Sequence, residues 1–380
     1  MITKPHTKDA KQAIRSLKSV KLPGRVVLVL QGGGALGAYQ IGVCEALHDA
    51  GIDPEWVIGT SIGAINASII AGNTPENRIE RLLSFWDRIQ RKRYTDALFS
   101  LMGVGSTMTN METVISGVPH FFEPNPMAMM ADRSNVGVEK AAYYSTEPLR
   151  KTLNELVDFD LLNQAGNTRL TVGAVNVTSG EMRYFDTRKE VLNSAHVMAS
   201  GALPPAFGAV RIDGEAYWDG GIYSNTPIEA VLDDNPRRDS LIFAVNVWHQ
   251  TDEEPQNIQQ VMGRQKDIQF GSRADSHLAK QKQIHRLRHV IRELAKEIPE
   301  ARRKTSNIKQ LAAWGCGTTV HVAHLLAPRL AGEDRSKDID FTSQGVQMRR
   351  DAGYADTLRM IERSPWSEAV EPIEGVIEYR

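Results

Sequence analysis

Near the start of the chain, continuous apolar runs alternate with segments whose apolar residues recur at helical spacing. Continuous apolar runs cover 26–30 and 56–58, and short runs of this kind are typical of buried strands. Between them lies a helical pattern that ends at Gly51, with one apolar face formed by Ile41, Cys44, Leu47 and Ala50. A second helical pattern covers 64–71. The order strand, helix, strand, helix predicts two consecutive βα units.

Further elements are predicted along the rest of the chain. Thr74-Pro75 begins an amphipathic helix with an apolar face made of Ile79, Leu82, Leu83, Trp86 and Ile89. Strands are predicted at 170–177, 181–185 and 240–248, and a strand candidate lies at 318–326. We expect 240–248 to be the last strand of the main sheet. A linker at 251–255 leads into a C-terminal part that is largely helical.

The segment 98–144 lacks a regular pattern and is rich in methionine. Its methionines are Met102, Met108, Met111, Met127, Met129 and Met130. Thioether side chains adapt to flexible ligands, so a lid or a pliable wall for an acyl chain is one interpretation. Irregular core packing is the other.

A serine flanked by glycines stands between the second strand and its helix, in the sequence from Gly59 to Gly63. A serine on a sharp strand-to-helix turn exposes its side chain, while the glycines let the backbone pass closely. Ser61 is therefore the candidate nucleophile.

A glycine-rich loop follows the first strand and contains Gly32, Gly33, Gly34 and Gly37. Its unshielded amides, close to a helix N-terminus, attract negative charge. One hypothesis is an oxyanion hole for a carbonyl attacked by Ser61. The other is a dinucleotide site, in which Asp53 or Glu55 would bind the ribose. A tight turn with close helix–strand packing is the structural alternative.

A serine nucleophile needs a proton acceptor within hydrogen-bond reach. None of the ten histidines stands in a pattern typical of a catalytic base. The better candidate is Asp219, which ends a short aromatic strand and precedes Gly220 and Gly221. An ordinary Asp-Gly turn is the structural alternative.

These motifs together resemble the patatin-like phospholipases. The glycine loop, the elbow at Ser61, the segment 199–207 and the motif at 219–221 match that family's pattern in order and spacing, over roughly 26–248. The resemblance implies a three-layer α/β sandwich with a mainly parallel central sheet flanked by helices, and a helical C-terminal extension. It also implies the domain division 1–22 (basic arm), 23–250 (catalytic domain) and 251–380 (extension).

The resemblance further implies a serine acyl hydrolase that cleaves lipid carboxylic esters, of phospholipids or lysophospholipids. Ser61 and Asp219 would form a catalytic dyad, with the glycine loop as oxyanion hole and Gly59, Gly63, Gly220 and Gly221 supporting the motifs. No metal and no cofactor are expected. Many members of the family carry Arg or Lys in the glycine loop where this chain has Leu36, which weakens the expectation of a phosphate contact there.

Composition and charge agree with a large α/β domain plus additions. The chain has 380 residues, of which 41% are hydrophobic, and a formal net charge of −1, which argues against nucleic-acid binding. Two distant cysteines, a polar N-terminus and no long apolar run lead us to expect a cytoplasmic protein without a membrane span. The oligomeric state is not defined by the sequence.

Basic residues accompany an apolar face at helical spacing between Arg264 and Lys304. The apolar positions are Ile284, Leu287, Val290, Ile291 and Leu294, and the cations are Lys282, Arg286, Arg288 and Arg292. Peripheral contact with an anionic membrane is one interpretation. A solvated helix packed on its own domain is the other.

Other functional classes stay open at this point. A Ser-His-Asp hydrolase would use His321 or His324 as its base. An acyltransferase has a related elbow, normally with histidine at the position of Thr60. A nicotinamide-binding enzyme and a non-catalytic lipid-binding protein are the remaining alternatives.

Overall fold

The computed structural model describes residues 21–90, 115–128, 134–271, 273–330, 333, 335–371 and 373–380. Most of the predicted basic arm 1–22 lies outside these residues, as do Met102, Met108, Met111, Met129 and Met130 of the methionine-rich segment. The interpretation of that segment as a lid therefore stays untested.

A nine-stranded sheet organises the chain in the order β11-β10-β9-β1-β2-β5-β8-β7, with β6 paired to β5. The strands are β1 (Arg25–Leu30), β2 (Trp56–Gly59), β5 (Arg169–Asn176), β6 (Met182–Asp186), β7 (Val210–Ile212), β8 (Glu215–Asp219), β9 (Ser240–Asn246), β10 (Val320–Leu326) and β11 (Val376–Tyr379). The six strands from β11 to β5 are parallel, whereas β6, β7 and β8 pair antiparallel. A separate two-stranded ribbon consists of β3 (Glu123–Pro124) and β4 (Tyr144–Ser145).

Helices cover both faces of the sheet. They are α1 (Tyr39–Asp49), α2 (Ile62–Ala71), α3 (Arg78–Ile89), α4 (Glu147–Leu156), α5 (Phe159–Leu162), α6 (Ser194–Ser200), α7 (Glu229–Leu232), α8 (Ile258–Gly271), α9 (Arg273–Glu297), α10 (Glu300–Arg303), α11 (Ser306–Ala312) and α12 (Ser343–Arg363).

The sheet has a hydrophobic core on each face. In β1, Val26, Leu28 and Leu30 belong to one core, and Val27 and Val29 to the other. Because successive side chains of a strand point to opposite faces, a strand covered on both sides is apolar throughout. The expected three-layer arrangement with a mainly parallel central sheet is confirmed.

The C-terminal part of the chain joins the same sheet. Strand β10 pairs with β9, and β11 pairs with β10, so the expectation that 240–248 forms the last strand of the main sheet was wrong. Helix α12 packs against α1 with almost no space between the backbones: a Cβ added to Gly353 would lie 2.1 Å from Tyr39 O. The domain boundaries implied by the resemblance stay a prediction.

The chain changes direction across the sheet at β1. From β1 the chain continues through β2 to β5 on one side, and β9 begins the succession to β10 and β11 on the other. In open parallel sheets, ligands bind beyond the carboxyl ends of the strands at such a switch point. The glycine loop follows β1 at this edge, and Ser61 follows β2.

Candidate active site

Ser61 occupies a strained turn between β2 and α2. Its backbone angles are φ 56° and ψ −127°, a conformation that costs a non-glycine residue of order 1–3 kcal/mol. The amide N–H of Ser61 donates to Ser200 O at 3.1 Å and to Ser200 Oγ at 3.2 Å. The Ser200 hydroxyl in turn donates to Gly173 O at 2.6 Å. These buried hydrogen bonds hold the turn in place.

The glycines on either side of Ser61 are required by close backbone contacts. A Cβ on Gly59 would lie 2.2 Å from Gly63 O, and a Cβ on Gly63 would lie 2.2 Å from Leu30 O. A side chain at Gly59 would displace the start of α2 from the end of β2, and one at Gly63 would displace it from the end of β1.

Asp219 lies at the end of β8 and is only 2% exposed. Its Oδ1 accepts a hydrogen bond from the Gly221 N–H at 2.7 Å. Burial raises the pKa of Asp219 from its ordinary value of 3.8 to about 7, while the hydrogen bonds from Gly221 and from the Ser61 side chain act in the opposite direction. The carboxyl group therefore titrates near neutral pH.

The two glycines after Asp219 leave no room for side chains. A Cβ on Gly220 would lie 2.4 Å from Gly173 O, and one on Gly221 would lie 3.0 Å from Asp219 Oδ1. Gly221 can donate its amide to the carboxylate because its backbone approaches so closely.

The glycine loop runs beside the serine. A Cβ on Gly32 would lie 2.9 Å from Ser61 Cβ, and Gly32, Gly33 and Gly34 line the same cavity as Ser61 and Asp219. Among the described residues, the amides of Gly33 and Gly34 have no hydrogen-bond acceptor. Gly37 does not line the cavity, since its Cα packs against Ile62.

Two side chains that the sequence did not reveal fix the orientation of this loop. Trp248 Nε1 donates to Gly32 O at 2.7 Å, and Asn225 Nδ2 donates to the same oxygen at 3.0 Å. In a trans peptide the C=O and the following N–H point in opposite directions. Anchoring the carbonyl of Gly32 therefore turns the N–H of Gly33 the other way and keeps it available.

Gln31 links the loop to the end of β9. Its Oε1 accepts from the amides of Val247 at 2.6 Å and Trp248 at 3.0 Å, and its Nε2 donates to Thr226 Oγ1 at 2.7 Å. Leu36, at the position where the resemblance implied a cation, is 3% exposed and belongs to the core instead of the cavity.

The cavity itself has a volume of about 270 Å³ and mostly apolar walls. Its apolar lining includes Ile62, Ile65, Phe121, Phe122, Tyr144, Leu203, Phe207, Phe270, Ile339 and Phe341. Phe270, Ile339 and Phe341 come from beyond the predicted linker at 251–255, so the C-terminal part forms one side of this cavity.

The residues that the sequence offered as alternative bases or as ribose ligands do not line this cavity. Within the described part of the chain, no histidine lines the cavity; His321 Nδ1 contacts the Tyr379 hydroxyl at 2.8 Å, and His324 lines a different cavity. Asp53 forms an ion pair with Arg78 at 3.4 Å before the start of β2, at the sheet edge opposite the glycine loop. Glu55 also precedes β2, so the dinucleotide hypothesis loses both of its ribose ligands.

The described residues offer neither a metal site nor a membrane-spanning helix. They contain no group of three or more His, Cys, Asp or Glu side chains that could hold a metal ion. In the same part of the chain, no helix combines the length and the apolarity needed to cross a membrane.

Comparison with protein families gave two matches. A model described as patatin-like phospholipase matches residues 28–232, and a second model, described as patatin phospholipase, matches residues 268–373. The first covers more than half of the chain, and the second covers most of the C-terminal part.

Individual relatives and solved structures have low sequence identity to this chain or match only part of it. Lysophospholipase NTE1 of Yarrowia lipolytica is 28% identical over 239 residues, which is 62% of this chain and 14% of that protein. Patatin-like phospholipase domain-containing protein 6 of Mus musculus is 34% identical over 88 residues, 23% of this chain and 6% of that protein. VipD from Legionella pneumophila superimposes with a TM-score of 0.38 at 15% identity, over 90% of this chain and 67% of VipD. The chain thus spans only about a seventh of the length of the NTE1 relative.

Proposed function

Because the chain belongs to the patatin-like phospholipase family, we propose that it hydrolyses lipid carboxylic esters with Ser61 as nucleophile and Asp219 as base. The observation that carries this proposal is that Ser61 and Asp219 line one mostly apolar cavity, beside two glycine amides that have no acceptor among the described residues.

The reaction has two stages. Ser61 Oγ attacks the ester carbonyl carbon while its proton passes to Asp219. When the tetrahedral intermediate collapses, the alcohol leaves with that proton and an acyl-serine remains. Water then attacks the acyl group, giving its proton to Asp219, and Ser61 regains a proton as the fatty acid departs.

The environment of Asp219 supports its role as base. An ordinary aspartate is a weak proton acceptor at neutral pH, and a base works best when its pKa lies near the working pH. Burial brings the pKa of Asp219 to about 7. Below that pH the carboxyl is protonated and cannot accept the serine proton, so we expect the rate to fall on acidification through about pH 7.

The amides of Gly33 and Gly34 are the proposed oxyanion donors. Negative charge develops on the carbonyl oxygen during attack, and one preorganised donor is typically worth about 3 kcal/mol. Trp248 and Asn225 hold the Gly32 carbonyl, which shares a peptide group with the Gly33 amide. The Gly33 carbonyl, which shares a peptide group with the Gly34 amide, accepts from the Leu36 amide at 3.1 Å, so both donors need little reorganisation during the reaction.

We propose phospholipids or lysophospholipids as the substrate class. Several relatives are named lysophospholipases, and the aromatic cavity walls suit an acyl chain. Phe341 belongs to this wall, with its ring centroid 6.0 Å from that of Phe121. Phe341→Ala should therefore shift the preference among p-nitrophenyl esters toward longer acyl chains, and Phe341→Leu should shift it less; an unchanged chain-length profile would remove Phe341 from the acyl site.

The test of the function combines labelling with turnover. A fluorophosphonate probe should label the wild type and not Ser61→Ala, and Ser61→Ala and Asp219→Asn should each lose ester hydrolysis. Ser179→Ala, in an exposed turn, is the matched serine control and should behave as the wild type. Near-normal turnover by Ser61→Ala or Asp219→Asn would refute the dyad.

A panel of lipids then separates the alternatives. Release of free fatty acid from phosphatidylcholine or lysophosphatidylcholine identifies a hydrolase, whereas transfer of the acyl group to an added alcohol without fatty-acid release identifies an acyltransferase. Lipid binding with neither labelling nor turnover identifies a non-catalytic lipid-binding protein.

We also propose that α9 contacts anionic membranes from a cytoplasmic location. One side of α9 packs on the domain through Leu278, His285 and His289, while Leu287 and Leu294 are each 62% exposed. Exposed apolar side chains among cations favour an interfacial helix. Binding to phosphatidylcholine vesicles should rise with phosphatidylglycerol content and fall with salt concentration. The double variant Leu287→Ser, Leu294→Ser should bind these vesicles less tightly than the wild type. Binding indifferent to all three changes would contradict the proposal.

A further inference from the structure

A second cavity, of about 540 Å³, lies beside the catalytic one at the carboxyl edge of the sheet. Asn246 at the end of β9 and Leu326 at the end of β10 line it. Trp248 lines both cavities. The carboxyl ends of parallel strands are where open α/β sheets bind ligands, and the volume lies in the range of small-molecule sites.

Three arginines line this cavity: Arg359 and Arg363 of α12, and Arg380 after β11. Arg359 and Arg363 are four positions apart and so share one face of the helix. Among the described residues that line the cavity, the one carboxylate is Asp356. The cations therefore outnumber the anions around this space.

The carboxylates nearby are already engaged. Asp356 accepts from the Tyr39 hydroxyl at 2.9 Å and from Arg359. Glu378, which does not line the cavity, lies 3.6 Å from Arg380. Among the described residues, no carboxylate forms an ion pair with Arg363.

The neighbouring wall contributes a neutral side chain that can form a hydrogen bond. His249 lines the cavity, and its pKa is lowered by burial and then by the charges of Arg329 and Lys337. Its imidazole is therefore neutral at neutral pH and able to donate or accept one hydrogen bond.

We propose that this second cavity binds a phosphate group, held by Arg359 and Arg363 with Arg380 as a third cation. Guanidinium groups match the oxygen geometry of phosphate in paired hydrogen bonds, and a doubly charged anion suits a site with several cations. The phosphate belongs either to a small soluble molecule or to the headgroup of an anionic lipid. Binding requires neither Ser61 nor Asp219, since neither lines this cavity.

The test uses the full chain and two kinds of probe. Isothermal titration with inorganic phosphate and with glycerol 3-phosphate measures the soluble source. Flotation with phosphatidylcholine vesicles, with and without phosphatidic acid, measures the headgroup source. The variant carries Arg359→Gln and Arg363→Gln together. Its matched control carries Arg81→Gln and Arg302→Gln, which remove the same charge from exposed positions outside the cavity.

We expect saturable phosphate binding that weakens with salt, at least about tenfold weaker in the cavity variant and unchanged in the charge-matched control. Leu326→Asp, which adds a carboxylate at the cavity edge, should weaken binding as well and provides a second variant should the first lose its fold. Ser61→Ala should bind phosphate as the wild type does, so loss of hydrolysis and loss of phosphate binding are separable.

Each outcome decides the proposal. Loss of soluble-phosphate binding in the cavity variants supports a small phosphorylated ligand. Loss confined to phosphatidic-acid vesicles supports a lipid headgroup. Absence of binding to both probes in the wild type, or equal binding by the cavity variants and the control, overturns the site.

Discussion

Replacing Asp219 by asparagine should make the folded protein more stable at neutral and alkaline pH while removing catalysis. The substitution keeps the shape of the side chain and the oxygen that accepts from Gly221 at 2.7 Å. It removes a charge from a site that is 2% exposed. The buried carboxylate lowers the stability of the folded protein at neutral pH, so the proposed catalytic base is also a source of instability.

The size of the effect follows from the pKa of Asp219, which folding raises from 3.8 to about 7. The folded state therefore binds the Asp219 proton more tightly than the unfolded state does. This tighter binding stabilises the folded protein below about pH 4, and that stabilisation is lost as the pH rises through 7. Three pKa units correspond to about 4 kcal/mol. For a chain of this length that equals about 5 °C in melting temperature.

Thermal melting of the wild type and Asp219→Asn at pH 4, 5.5 and 8 measures the difference. It should be close to zero at pH 4, intermediate at pH 5.5 and largest at pH 8, with the asparagine variant more stable. Asp160→Asn is the control because that side chain is exposed on the first turn of α5. A difference that does not change with pH, or a variant less stable than the wild type at pH 8, would refute the argument.

Three further substitutions test the residues that hold the glycine loop and the turn at Ser61 in place. Gly34→Ala should cost at least about 2 kcal/mol in denaturant unfolding, since Gly34 has φ +56° and an added Cβ would lie 2.2 Å from Asp338 O; an unchanged midpoint would contradict this. Trp248→Phe removes a donor to Gly32 O and should lower kcat more than it changes KM; a change in KM alone would show that the indole only contacts substrate. Ser200→Ala leaves a buried carbonyl without its partner and should cost about 1–3 kcal/mol in unfolding free energy, whereas a cost near zero would mean that the neighbouring backbone compensates.

The parts of the fold that the sequence predicted correctly are those coded by local pattern. The apolar run 26–30 is β1, the periodic segment after Thr74 contains α3, and the runs at 170–177 and 181–185 match β5 and β6. The positions of Ser61 and the glycine loop also follow from short strand–turn–helix motifs. Each of these signals lies within about a dozen neighbouring residues, where periodicity and glycine placement are informative.

The parts that the sequence did not predict depend on distant contacts. Periodicity identifies a strand at 318–326 but not its neighbour, so the pairing of β10 with β9 was missed, as was the four-residue β11. Trp248 looked like the end of a strand, and nothing in its surroundings shows that its indole reaches Gly32. These contacts join residues that are distant in the chain, 216 positions apart for Trp248 and Gly32, and a single sequence holds no local record of them.

The strands of the sheet are synthesised in an order that leaves the sheet incomplete until late in translation. Residues 25–246 leave the ribosome before 320–341, so β9 has an open edge until β10 is made, and a nascent chain in that state can pair with other chains. Phe341 also emerges only then, and the cavity around Ser61 lacks one wall until it does. The cavity proposed to hold the lipid is therefore completed only late in translation.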